Sequence, residues 1–288
     1  MATSTLAHDH RRRSFLFLNL GSATVFFFGE RIMEKALIIS MTTWPPRMES
    51  AIMAMEALTT QKHDSRVHFV LALSKDEFDK SSPIVAHMRR LGVEVIWDNG
   101  NIRSHKKLMP ALARYSENPI LVVDDDVLQQ QGWLQAFIDD HRQHPDDIIY
   151  GMSTSRVEII GDCILERISR RDLYLSPGKV TFDKKPANGA AGTLYPAGTF
   201  TDERFFDRSA FMNICPTSDE TWQWAWSVME GRTHRCLSSH NMPDIMASNQ
   251  EFALSKVNLT MYTTYHNRIA EAFPLYKEKL KERIEQEL

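Results

Sequence analysis

Cysteine is scarce: this 288-residue chain has three, Cys163, Cys215 and Cys236, with no Cys-x-x-Cys pair and no histidine at close metal-ligand spacing. That excludes a small disulfide-stapled fold, leaves a structural zinc site without support, and fits reduced cysteines in a cytoplasmic protein. A sustained basic stripe with interleaved aromatics is also missing, and the formal net charge is -3. A long polyanion held through its phosphates needs such a field, so nucleic acid is not expected as a partner. No Gly-x-Gly-x-x-Gly follows the first apolar strand, which removes the usual dinucleotide phosphate loop. Internal repeats and long linkers are lacking as well. What is present is ordinary for a globular chain, 43% hydrophobic and 25% charged residues, and rules out disorder and collagen-like structure.

The beginning stands apart. Arg11, Arg12 and Arg13 precede the apolar residues 14–28, an arrangement like the front of a signal peptide, but Glu30 and Arg31 follow directly and leave no small-residue cleavage site. The run is short for a membrane span. Residues 1–32 are expected to be an extension dispensable for the fold, or a misassigned start, with weak membrane association as the alternative. Met33 opens a single domain, 33–288, of α/β class.

Strands are expected at residues 37–40, 67–73, 93–97, 120–123 and 148–152, with helices over 49–58, 84–91, 109–115 and 133–138 between them. Pro83 and Pro110 suit first helical turns, and Gly92 suits a left-handed helix end. This alternation predicts a mostly parallel central sheet flanked by crossover helices. After Ser153 the rhythm changes: residues 154–202 are rich in Gly, Pro and short β-prone pieces, suited to a ligand-lining insertion. A helix follows, capped by Ser218, with Trp222, Ala225, Trp226 and Met229 on one apolar face and Gly231 at its end. Residues 275–288 predict a surface helix around Leu280 and Ile284.

Asp124, Asp125 and Asp126 directly follow the buried run ILVV. Three adjacent carboxylates repel one another unless water, cations or metal compensate them. In an extended segment Asp124 and Asp126 face one side and Asp125 the other, so two carboxylates can meet one Mn²⁺ or Mg²⁺. The end of a parallel strand is where open α/β sheets bind ligands; a water-facing acidic loop is the plainer account. Arg103, Lys106 and Lys107 precede the returning helix and could hold phosphates there, or mark a solvated helix entrance. Thr42, Thr43, Arg47 and Asp98 follow the first and third strands, which makes them candidates for base or ribose contacts as well as ordinary loop residues.

Asp219 and Glu220 open the tryptophan-rich helix, where acidic groups favour the helix amino end in any case. A carboxylate there could take the proton of a sugar hydroxyl, Asp219 first and Glu220 as alternate, with Trp222 shaping a sugar pocket or packing in the core. Gly189, Gly192, Tyr195 and Gly198 are candidates for an acceptor-side wall, since small residues let a sugar approach the backbone, although turns require glycine too. His240 is the candidate third metal ligand, and His266 a further one.

The segments SMTTWPPR, NIRSHKKLMPAL, VVDDDV, GTLYPAGTF and CPTSDETWQWA together resemble glycosyltransferases of the GT-A fold, especially bacterial enzymes of surface polysaccharide (capsule or lipopolysaccharide) assembly. The resemblance implies a nucleotide-diphosphate sugar donor, with UDP-sugar a weak preference, a divalent cation, and a glycan or lipid-linked acceptor. It assigns the metal-binding DxD pattern to Asp124 and Asp126, the late acidic motif to Asp219 and Glu220, a nucleotide-sugar half to 33–153 and an acceptor-side half with the C-terminal helix to 154–288. From the cysteines and residues 1–32 the protein is expected to be cytoplasmic, with peripheral contact at the inner face of the membrane as a variant. A magnesium-dependent nucleotidyltransferase or phosphohydrolase could use a similar strand end, and a noncatalytic carbohydrate-binding protein could keep the aromatic helix.

Overall fold

Apolar runs and helical faces alternate from residue 37 onward in the computed structural model, which describes residues 19–20, 23–24, 35–151, 153–168, 178–179, 184–186, 191–237, 244–246 and 254–287. The chain divides into two units, Met1–Glu34 and Lys35–Leu288. In the first, β1 (Asn19–Leu20) pairs antiparallel with β2 (Ala23–Thr24).

The second unit begins with β3 (Leu37–Thr42), α1 (Met48–Thr59), β4 (Val67–Ser74), α2 (Pro83–Arg90), β5 (Glu94–Asp98), α3 (Met109–Arg114), β6 (Ile120–Val123), β7 (Val127–Leu128), α4 (Trp133–Gln143) and β8 (Ile148–Tyr150). It continues with β9 (Ser153–Ile160), β10 (Cys163–Ile168), β11 (Gly178–Lys179), β12 (Lys184–Pro186), β13 (Thr193–Tyr195), α5 (Arg208–Ile214), α6 (Asp219–Met229), β14 (His234–Cys236), β15 (Asp244–Ile245), α7 (Ser255–Ala272) and α8 (Pro274–Glu287). Gly92 and Gly231 follow α2 and α6 with φ of 76° and 77°, a region that L side chains avoid.

Eight strands form the central sheet in the order β11-β14-β8-β13-β6-β3-β4-β5. β6, β3, β4 and β5 run parallel, Ile38 facing both His68 and Ile120 across the ladders. β13 is inserted antiparallel between β6 and β8, and β14 is parallel to β8. The result is a mixed, mostly parallel sheet flanked by helices, a Rossmann-like α/β fold. Because β3, β5 and β6 are parallel, the residues after each of them emerge along the same edge.

Alternation splits the strands between two cores. Leu37, Ile39, Leu121 and Val123 pack with α1, α2 and α4, while Ile38, Ile120 and Val122 pack with α3, α5, α6, α7 and α8. Burial on both faces explains why β6 is uninterruptedly apolar. On the second face Trp222, Trp224 and Trp226 are almost wholly removed from water, each such side chain contributing roughly 2–3 kcal/mol. α7 and α8 close this face, with Leu280 and Tyr276 inaccessible and Ile284 packed against them. A separate antiparallel sheet, β10-β9-β12, lies beside α7, where Asn267 bonds both the N–H and the C=O of Ile164. Among the described residues no helix is long and apolar enough to cross a membrane.

Candidate active site

β6 ends at Val123, and the chain turns at Asp125 and Asp126 instead of staying extended. The turn is fastened on its far side, since β7 pairs with β15 and the Met246 N–H donates to the Asp126 carbonyl at 2.9 Å. The three carboxylates therefore sit on a turn and not on an extended strand, and repulsion between Asp124 and Asp126 shows that these two remain neighbours. Asp125 and Asp126 converge on one guanidinium, Arg47 Nη1 lying 2.9 Å from Asp125 Oδ1 and Nη2 3.2 Å from Asp126 Oδ2. Thr43 Oγ1 donates to Asp125 Oδ2 at 2.7 Å. Asp124 turns to a different cation, forming an ion pair with Lys107.

Burial raises the proton affinity of Asp124, repulsion from Asp126 and Asp219 adds to it, and Lys107 opposes it. Burial also holds Asp125 above the usual carboxylate range, against the pull of Arg47 and Thr43. Lys107 shows the converse: burial alone would favour its neutral form, but Asp124, Asp219 and Glu220 outweigh it and hold the ammonium protonated.

Lys107 thus joins the acidic turn to α6. Asp219, in the first turn of that helix, is buried. Burial would raise its pKa, but Lys107 brings it below the ordinary carboxylate value. Gln223 Nε2 donates to Asp219 Oδ2 at 3.4 Å, and the Tyr195 hydroxyl donates to Gln223 Oε1 at 2.7 Å. With Oε1 so engaged, the amide presents its N–H group to Asp219. His105 is kept neutral by burial, its Nε2–H donating to the Cys215 carbonyl at 2.9 Å and its ring stacked on Phe211. Glu220 accepts a hydrogen bond from the Tyr262 hydroxyl at 3.0 Å.

Several candidates are placed elsewhere by their partners. Lys106 is buried and its ammonium is held by Glu77 and Asn101. Of the three expected phosphate cations, Lys107 alone pairs with the acidic turn among the described residues. Arg103 is exposed, at φ 53°, its N–H donating to Asn101 Oδ1. Thr42 Oγ1 donates to the Ala72 carbonyl at 2.8 Å and so ties β3 to β4. Asp98 pairs with Arg208 of α5 at 3.2 Å. Trp222 is core, not pocket: it has no exposed surface, its Nε1–H donates to the Phe205 carbonyl, and Phe211, Trp226 and Phe273 surround its ring.

Gly192 has a packing reason, since a Cβ there would lie 2.5 Å from Trp133 Cζ2. Tyr195 is buried and works through Gln223, and Gly198 sits in an exposed turn whose carbonyl accepts from Arg232. Ser218 does not cap α6 through its side chain; its hydroxyl pairs with Thr221 at 2.7 Å. His266 has both ring nitrogens engaged, 2.8 Å from Glu166 and 2.7 Å from Tyr276, in the core. Gly189 and His240 lie outside the described residues. Gln223, Tyr262 and Arg208 were not among the candidates; Gln223 lies within the segment CPTSDETWQWA, whereas no period or motif marks Tyr262 and Arg208, and only the fold brings them to the site.

Among the described residues no group of three His, Cys, Asp or Glu side chains is arranged to hold a metal ion. The donor chemistry of the turn nonetheless suits Mn²⁺ or Mg²⁺. Asp124 and Asp126 offer hard oxygens, and the burial and mutual repulsion that disfavour the Asp124 anion would be relieved by a cation. Lys107 and Arg47 supply such charge at their ion pairs.

No protein-family model and no curated protein matches the chain. Its fold is similar to that of S. aureus TarS 1–349 in complex with UDP, with a TM-score of 0.53, 14% identity, and 86% of this chain and 70% of that one covered. A second structure of S. aureus TarS 1–349 aligns with a TM-score of 0.50 and 12% identity, over 82% of this chain. This chain spans 65% of the length of that one. The mannosyltransferase PcManGT from Pyrobaculum calidifontis, in complex with GDP-Man and Mn²⁺, aligns with a TM-score of 0.51 at 11% identity, over 87% of this chain and 69% of that one. At such identities the likeness is one of fold.

Proposed function

We propose that the chain is a metal-dependent GT-A glycosyltransferase, moving a sugar from a nucleotide-diphosphate sugar to a hydroxyl of a glycan or lipid-linked acceptor in surface polysaccharide synthesis. The observation that carries this reading is that Lys107 interacts with both the acidic turn after β6 and the carboxylates that open α6. A donor diphosphate and an attacking hydroxyl need those two kinds of group side by side.

Asp124 and Asp126 would hold Mn²⁺ or Mg²⁺, which when bound supplies positive charge for the departing diphosphate. Lys107, kept protonated by its acidic neighbours, neutralises phosphate charge from the protein side. Thr43 and Arg47 shape the turn through Asp125, and Asp98 offers a carboxylate for the base or ribose. Asp219, held ionised, takes the acceptor proton in an inverting reaction or orients the acceptor in a retaining one. UDP- and GDP-sugars lead the donor candidates, because the similar folds include one in complex with UDP and one with GDP-Man. Residues 33–153 would form the nucleotide-sugar half and 154–288 the acceptor half, working on the cytoplasmic side, with residues 1–32 dispensable or a peripheral membrane contact.

The test is a screen of UDP-, GDP- and CDP-sugars with and without Mn²⁺, following nucleotide release and, for the donor used, the product anomer. Cation-dependent release of nucleoside diphosphate from one donor is the expected result. Nucleoside monophosphate with sugar phosphate would instead mean cleavage at phosphorus, and sugar binding without turnover would mean a noncatalytic binder.

A further inference from the structure

The two carboxylates that open α6 are held differently. Asp219 is buried and lies beside Lys107 and His105, whereas Glu220 is half-buried and accepts from Tyr262. Tyr262 sits on α7, and that helix grips the start of α6 at more than one point. Thr217 Oγ1 donates to Asn258 Oδ1 at 2.7 Å, so the Tyr265 hydroxyl, also at 2.7 Å, must be the donor to Thr217. Asn258 Nδ2 donates in turn to the Thr217 carbonyl at 2.8 Å. Residues four and three apart lie on one side of a helix, so Asn258, Tyr262 and Tyr265 present one polar edge to residues 217–220.

The Tyr262 phenol is nearly buried, and burial first, then the Glu220 and Glu166 carboxylates, keep it far from ionising. It is a permanent donor, and a carboxylate has lone pairs enough to accept from more than one donor.

We infer that Glu220 is the acceptor-binding carboxylate and Tyr262 its positioning residue, a division of labour with Asp219 that rests on the glycosyltransferase reading. The hydroxyl it takes belongs to an uncharged sugar, because a phosphate or carboxylate in that subsite would face Glu220 and Asp219 together.

The experiment compares full-chain wild type, Tyr262→Phe, Glu220→Gln and the double variant. It uses the donor selected by nucleotide release and octyl glycosides of glucose, galactose, mannose, N-acetylglucosamine and glucuronic acid as acceptors. Tyr262→Phe and Glu220→Gln should each raise the acceptor KM about tenfold, and in Tyr262→Phe, whose side chain reaches the acceptor only through Glu220, donor hydrolysis by water should stay within about twofold. The double variant should be no worse than Glu220→Gln alone, and the glucuronide should be the poorest acceptor.

Parallel loss of hydrolysis and transfer in Tyr262→Phe would reduce the tyrosine to structural support, and multiplying losses would deny the coupling. If Tyr262→Phe does not fold, Glu220→Gln decides alone: an unchanged acceptor KM overturns the assignment. A wild type that turns over no donor removes the glycosyltransferase reading and this one with it. Wild-type transfer with an unaffected Glu220→Gln removes only this one.

Discussion

A carboxylate buried as deeply as Asp219 stays ionised only with positive charge beside it, and Lys107 provides it. The sign follows from that lowered pKa. The stabilisation is complete above the unfolded value of about 4 and is lost as pH falls through the still lower folded value. At neutral pH the group is therefore ionised, with its lone pairs free of a proton. Asp219→Asn should cut transfer by about 10²–10⁴-fold with nucleotide affinity kept within a few-fold, as read by transfer rates beside a binding titration; a normal rate would deny it the role of base. At this scale the acidic groups were legible, because runs of like charge are conspicuous in any sequence. Their counter-charges were not. Arg47 meets Asp125 across 78 residues of chain and Lys106 meets Glu77 across 29, and no spacing rule reports such pairings. Trp222 illustrates the reverse ambiguity: its apolar helical face fitted a core as well as a pocket, and the rings of Phe211, Trp226 and Phe273 take it into the core.

Elements are held together by the same logic of paired burial. His234 of β14 reaches Ser227 of α6, its Nε2 lying 2.8 Å from the hydroxyl. Since Ser227 gives its own proton to the Trp224 carbonyl, His234 is the donor in that bond. Burial, helped by Arg283 of α8, lowers the His234 pKa to about 3. Unfolded chains take up this proton near pH 6.5 and the folded one does not, so stability is present above that pH and declines as pH falls toward the folded value. Between pH 7 and 4 this one group should remove about 3 kcal/mol. His234→Gln, which keeps a donor for Ser227, should flatten that limb in urea unfolding series at pH 7, 5.5 and 4; an unaltered slope would place the acid sensitivity elsewhere. Of the elements, the first strands and helices were readable from apolar alternation and from Pro83, Pro110 and Gly92. Helix α7 had no such signal, because Thr260, Thr263, Thr264, Tyr262 and Val257 are weak helix formers and its stability comes from packing. The antiparallel entry of β13 was equally hidden, following as it does a glycine-rich stretch without a period.

Over the whole molecule, charge is nearly balanced at -3, yet at the sheet edge Asp124, Asp219 and Glu220 all act on a single ammonium, that of Lys107. That lysine belongs to the first half of the domain and the α6 carboxylates to the second, so it holds two parts of the fold to one electrostatic account. Removing it leaves buried anions without their cation, a loss of about 3–5 kcal/mol for a broken buried pair. Lys107→Met should therefore unfold at a lower temperature than wild type at pH 8, recover part of that difference at pH 5 as the raised Asp124 group takes up a proton, and bind UDP at least about tenfold more weakly. Millimolar Mn²⁺ should raise its unfolding temperature more than it raises that of wild type, because the added ion replaces a charge wild type already has. Thermal unfolding with and without Mn²⁺, beside a UDP titration, checks all three. A variant as stable as wild type at pH 8 and indifferent to Mn²⁺ would mean that the acidic turn and α6 do not share this cation, and the juxtaposition of donor and acceptor groups would lose its physical basis.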